Sequence, residues 1–211
     1  MLLKLPARDR KKLLDGRWDV VEGQFFSSWN PNTHIVEAFR IPKTWPRWRA
    51  MDWGSTKPYS IGWYTVDPDG IIYRYRELYG WGGEANVGTK ESVREVARKI
   101  REAEKYEKAQ GIEFRNNPAD PSCWYSKGEG TTITELFRKE GISWRPAKGG
   151  PNSRDNGWWV CNQMLIEGTN KVITNCKHIV RFSIICSLIS SIDVGVGVSM
   201  FVIFIKCTLL L

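Results

Sequence analysis

Residues 59–78 constrain the fold of this chain more than any other stretch. Two runs rich in aromatic and β-branched side chains, 59–66 and 71–78, flank Asp67-Pro68-Asp69-Gly70. Proline presets one backbone angle there and glycine accepts the positive φ of a tight turn, so the segment predicts a β-hairpin. The short run Trp48-Arg49-Ala50-Met51-Asp52 predicts a strand before it. An antiparallel meander of three strands therefore opens the core.

After the meander the periodicity changes. Val93, Val96, Ala97, Ile100 and Ala103 recur at helical spacing, with Thr89 as cap and Gly111 as stop. Residues 112–115 predict a fourth strand, which leads through Asn116, Asn117 and Pro118 to Asp120. Thr132 and Glu135 stand at capping-box spacing for a second helix that Gly141 ends. Residues 143–147 predict a fifth strand, 148–157 a glycine-rich loop, 158–167 a third helix and 172–174 a last short strand. The order β-β-β-α-β-α-β-α-β predicts an α/β domain, a mixed sheet with helices on its faces.

Domain organisation follows. Residues 1–47, with prolines at 31, 42 and 46, read as an extended linker segment holding a short basic helix near 8–14 and a glycine-bracketed strand at 16–23. The domain proper runs over 48–181, and 182–211 is an aberrant hydrophobic tail.

The formal net charge of +8 favours a polyanionic partner. Several of the eleven tryptophans lie beside basic residues, as in Trp45-Pro46-Arg47-Trp48-Arg49 and Ser143-Trp144-Arg145, a pattern that suits nucleic acid. The alternative at each position is a core tryptophan beside a solvated charge. The five cysteines show no Cys-x-x-Cys pair and no zinc-ligand spacing, and they read as reduced thiols of a cytoplasmic protein. His34 and His178 are too few and too far apart for a histidine metal cluster.

Chemistry concentrates on two carboxylates. Asp52 stands at the exit of the first core strand, and Gly54 leaves room for another backbone or a phosphate to approach. Asp120, in Asn117-Pro118-Ala119-Asp120-Pro121-Ser122, has a similar setting one hairpin and one helix later. The expectation is that the two share a divalent cation; the alternative is ordinary turn chemistry at each. Glu77, near the end of the third strand, is a further candidate ligand, with a strand-edge charge as its alternative. Residues 83–90 imitate a P-loop but end Gly88-Thr89-Lys90, without Gly-Lys followed by Ser or Thr, so ATP hydrolysis is not expected.

Five stretches taken in order resemble one family: Leu13-Leu14-Asp15-Gly16-Arg17-Trp18-Asp19, Glu22-Gly23-Gln24-Phe25-Phe26, Ile41-Pro42-Lys43-Thr44-Trp45, Asp52-Trp53-Gly54 and Ala119-Asp120-Pro121-Ser122. Over about residues 1–181 the chain resembles the carboxy-terminal nuclease domain of the tailed-bacteriophage terminase large subunit. The resemblance implies a ribonuclease H-like fold and endonucleolytic cleavage of double-stranded phage or prophage DNA during packaging. It implies Mg2+ or Mn2+ in a two-metal site, with Asp52 as the acid of the first strand and Asp120 as the acid after the fourth. Implied partners are double-stranded DNA, the portal and the small terminase subunit, in the cytoplasm of the bacterial host. Arg145, Lys148 and Arg154 are candidates for contacting the DNA backbone, with solvated surface as their alternative.

Two departures matter. The amino-terminal ATPase motor of the family is not seen. Beyond residue 181 the family continues into a polar stretch bearing a third acid, whereas 182–211 contains only Asp193 and Lys206 as charged residues. Asp193 lacks the family pattern and is not assigned the role. The expected explanation is a frameshifted or degenerate terminus, the alternatives being a membrane anchor over 182–205 or a buried core helix. A membrane partner is not expected. The contrasting function is a catalytically inert, basic DNA-binding remnant.

Overall fold

The computed structural model describes residues 26, 28–84, 86–126, 130–148, 153–173, 186–193 and 199–204. The predicted meander is present as β2 (Arg47–Asp52), β3 (Ser60–Val66) and β4 (Ile72–Tyr79), paired antiparallel in succession. Asp67 makes the hairpin turn tight by accepting the backbone N–H groups of Asp69 and Ile71 at 3.0 and 2.8 Å. Gly70 takes the positive φ of 83°.

Ahead of the meander lie α1 (Pro31–His34) and β1 (Ile35–Val36). After it come α2 (Val93–Ala109), β5 (Pro118–Ala119), a 3-10 turn (Pro121–Trp124), α3 (Ile133–Lys139), β6 (Arg145–Pro146), α4 (Ser153–Glu167) and β7 (Asn170–Ile173). These strands form one seven-stranded sheet in the order β1-β7-β4-β3-β2-β5-β6. The strands β5, β6, β7 and β1 all pair parallel with their neighbours, so the sheet is mixed as expected. Two further strands, β8 (Cys186–Asp193) and β9 (Ser199–Phe204), pair antiparallel in a separate sheet. No helix among the described residues is long and apolar enough to cross a membrane.

Local chemistry explains the helix ends. Thr132 and Glu135 form the predicted capping box of α3. The cap of α2 is Ser92, boxed with Glu95, rather than Thr89, whose hydroxyl donates instead to Glu91 at 2.9 Å. Gly111 and Gly141 follow the two helices at φ 73° and 76°.

The fourth strand is displaced from its predicted position at 112–115. Phe114 makes only a single parallel bridge to Arg47, and the paired strand is Pro118–Ala119. Asn116, at φ 51°, breaks the extended run. The Asn117 side-chain oxygen then accepts the Arg49 N–H at 3.2 Å, standing in for a backbone acceptor. The last helix starts earlier than predicted, at Ser153, and the last strand begins at Asn170. Ile35 and Val36, within the segment read as a linker, pair with β7 and form one of the sheet's two outer strands. The helix and strand predicted within residues 8–23, and Thr174, lie outside the described residues.

Alternation along β2 divides the core. Met51 joins Ile61 and Trp63 beneath Val96, Ala97 and Ile100 of α2 and Phe137 of α3. Trp48 and Ala50 pack on the other face with Val66, Ile72 and Met164 of α4. Each large apolar side chain so buried contributes about 1.5–3 kcal/mol.

Candidate metal centre

Non-local pairing brings the two predicted aspartates together. β5 lies parallel to β2 with Met51 opposite Ala119, and the Asp120 N–H donates to the Met51 carbonyl at 3.1 Å. Met51 and Ala119 are both buried in the core beneath α2. Asp52 and Asp120 are each the next residue along, at adjacent strand ends, and both are half-buried. Neighbouring strands lie about 4.8 Å apart, a spacing across which carboxylate oxygens can hold a common hard cation.

Cys123 registers the convergence. Burial, then Asp120, then Asp52 push its thiol up to about 12. Both carboxylates thus act on the same sulfur.

Each acid is positioned by its own loop. One Asp120 carboxylate oxygen accepts the Ser122 N–H at 2.7 Å and its carbonyl accepts the Cys123 N–H at 3.0 Å, fixing the residue at the head of the 3-10 turn. Asp52 ends the β2–β3 ladder opposite Ser60. The purpose of Gly54 is settled as backbone approach: a Cβ there would overlap the Lys57 carbonyl oxygen and stand 2.8 Å from that of Pro58. The same loop accepts the Gly88 N–H on the Thr56 carbonyl at 2.8 Å. The P-loop look-alike therefore commits that amide to a neighbouring loop instead of a phosphate.

Glu77 and Arg145 lie on other strands, and Lys148 follows β6. Among the described residues no group of three or more His, Cys, Asp or Glu side chains converges to hold a metal. Glu77 lies on β4 opposite Gly62 and forms an ion pair with Arg74. Arg145 and Lys148 are exposed, and Arg145 pairs with Pro118, toward the sheet end away from the acids. The side chain of Arg154 lies outside the described residues.

The basic and aromatic interleaving near Trp48 is structural. Arg47, Trp48 and Arg49 are buried. Arg49 reaches Glu104 at 2.6 Å, Trp63 Nε1 donates to the same carboxylate at 3.0 Å, and Lys108 approaches its other oxygen at 3.2 Å. Arg76 and Arg47 lie 2.8 and 3.7 Å from Glu107. Burial lowers the Arg49 guanidinium from its ordinary value, against the opposing pull of Glu104. Sequence reasoning missed these two glutamates, although the signal was present: both continue the helical stripe of Val93, Val96, Ala97 and Ile100 into the core.

No protein-family model matches the sequence, and no curated protein matches it either. Solved structures do. The fold is similar to the P22 large terminase nuclease domain, with a TM-score of 0.55, 17% sequence identity and 74% of each chain covered. It is also similar to the large terminase of a thermophilic bacteriophage in complex with ADP, with a TM-score of 0.58 and 18% identity over 83% of this chain. That match takes in 42% of the thermophilic phage protein, so the present chain spans less than half its length. The fold is therefore the ribonuclease H-like fold of phage large-terminase nuclease domains.

Proposed function

We propose that this chain is a terminase-type nuclease domain that cuts double-stranded DNA with divalent metal during phage or prophage genome packaging. The observation that carries the proposal is the pairing of Met51 with Ala119, which sets Asp52 and Asp120 side by side at parallel strand ends. Their donor set suits Mg2+ or Mn2+: hard carboxylate oxygens, partly open to solvent and carried at the ends of two paired interior strands. When bound, the metal supplies an activated water and stabilises the leaving oxygen. Asp52 and Asp120 would hold it, and the turn hydrogen bond to Ser122 orients the Asp120 carboxylate. The net charge of +8 draws the polyanionic substrate toward the domain. Under this reading the partners beyond DNA are the portal and the small terminase subunit, in the cytoplasm of the bacterial host.

Nicking of supercoiled plasmid by the purified protein with Mg2+ or Mn2+ tests the proposal. Activity that chelator abolishes and that disappears in Asp52→Asn and Asp120→Asn supports it. The absence of a third convergent acid among the described residues favours a second reading, an inert DNA-binding remnant. Retarded DNA without cleavage at any metal concentration would select that reading.

A further inference from the structure

Charge is sorted by side around α2. Arg94, Arg98, Arg101, Lys105 and Lys108 recur every three or four residues, and all are exposed. At roughly 100° of turn per residue they fall within an arc of about 80°, beside the buried stripe of Val93, Val96, Ile100 and Glu104. Glu95 and Glu102, also exposed, fall together outside that arc. The basic side is thus a ridge along nearly the whole helix, roughly 21 Å long at about 1.5 Å per residue.

Neighbouring carboxylates leave most of its charge in place. Arg94 and Arg101 share one partner, Glu140 at the end of α3, at 3.1 and 3.4 Å. Their side chains remain 84% and 43% exposed, and pairs so open to water are worth about 0–1 kcal/mol, so they exchange readily for a stronger anion. Lys108 lies 3.2 Å from Glu104, whose other oxygen is committed to Arg49 and Trp63. Among the described residues no ion pair engages Arg98 or Lys105.

The form of the ridge selects the kind of anion. Nothing apolar interrupts it, so it lacks the apolar centre of a protein interface, whereas a phosphodiester backbone needs only positive charge and donors. A DNA strand lying along it presents one phosphate per about 3.4 Å, roughly six over its length, against five cations. Its near end stands at the acid end of the sheet. Glu91, just before the Ser92 cap, accepts the Tyr59 hydroxyl at 2.8 Å, and Tyr59 adjoins Ser60, the ladder partner of Asp52.

We infer that this ridge of α2 binds the phosphate backbone of the duplex on which the acid pair acts, an inference that rests on the reading of duplex DNA as substrate. Arg98 and Lys105 carry the contact, and Arg94, Arg101 and Lys108 extend it.

Titration of the full chain with a labelled duplex of arbitrary sequence, without divalent metal and across salt concentrations, tests it. Arg98→Gln/Lys105→Gln is expected to weaken binding at least about tenfold at low salt and to reduce the salt slope by about two. Glutamine is a good helix former, so the melting temperature is expected to stay level. Arg40→Gln/Lys43→Gln removes the same charge from exposed positions ahead of β2 and is expected to lose much less affinity. Unchanged affinity and slope in the ridge variant, or an equal loss in both variants, overturns the ridge as a DNA site. Asp52→Asn/Asp120→Asn is expected to keep full duplex affinity under these conditions. Ridge-dependent binding by a wild-type protein that never cuts would therefore sink the nuclease reading alone, and cleavage with ridge-independent binding would sink the ridge alone.

Discussion

Arg49 and Asp52 lie on one strand, yet their surroundings treat charge in opposite ways. Arg49 is buried in mid-strand beneath α2, where its two terminal nitrogens donate to Glu104 and to the Ser143 carbonyl at 2.6 and 3.3 Å. Asp52 stands at the strand end, half-buried, beside a second carboxylate. A charge inside the sheet must be paired and hydrogen-bonded, so it serves the fold. At the end of the ladder solvent screens two like charges enough for them to remain neighbours. Burial therefore separates the two charges here, and residue type alone does not.

The sharpest way to break this contrast is Glu104→Ala. It strands Arg49 and the Trp63 indole N–H at once, and a loss of about 3–5 kcal/mol is expected in equilibrium urea unfolding. A loss below about 1 kcal/mol would show that the network contributes little. Replacing the pair together, Arg49→Met with Glu104→Leu, is expected to cost less, because neither partner is left as an unpaired buried charge and only the Trp63 indole N–H loses its acceptor.

At the strand ends the expectation reverses. Asp52→Asn and Asp120→Asn are expected to lower metal-dependent plasmid cleavage more than about a hundredfold, while the melting temperature without metal stays level or rises slightly. Asparagine keeps a side-chain oxygen for the Ser122 N–H, so the turn at residue 120 survives. A large fall in melting temperature would place these acids among the structural charges.

Gly54→Ala probes the loop that joins the two behaviours. The new methyl must displace the Lys57 and Pro58 carbonyls, at an expected cost of about 1–3 kcal/mol by thermal denaturation, with a loss of cleavage because Asp52 sits two residues away. Glu91→Gln gives the smallest effect. Burial raises the Glu91 carboxyl, but hydrogen bonds from Lys99, Tyr59 and Thr89 outweigh it and leave the group below its usual value of 4.5. A carboxyl depressed in the folded state adds stability above its unfolded value and loses it as pH falls through the folded one. The difference between wild type and Glu91→Gln, roughly a few tenths of a kcal/mol at neutral pH, is expected to close as melts are taken to pH values well below the carboxylate range.

Much of the fold was legible in the sequence. The meander, the turn at Asp67 and Gly70, the capping box at Thr132 and Glu135 and the element order all rest on local periodicity and turn chemistry, which act within a few residues. Asp52 and Asp120 were readable as strand-end acids for the same reason. The rest was not local. Asn116 and Asn117 shift the fourth strand toward Pro118, because a positive φ and a side-chain acceptor override the β-like run before them. Glu104 and Glu107 convert apparent nucleic-acid residues on β2 into core ion pairs, an outcome that exists only once α2 lies on the sheet.

The sequence by itself determined the order of strands and helices from β2 to β7 and the kinds of side chain available at each strand end. Only the tertiary structure decided that β5 enters parallel beside β2, so that Met51 meets Ala119 and two distant carboxylates become neighbours. Short-range propensities set what each segment is; the register between segments far apart in the chain is chosen by burial and hydrogen-bond pairing across the whole sheet.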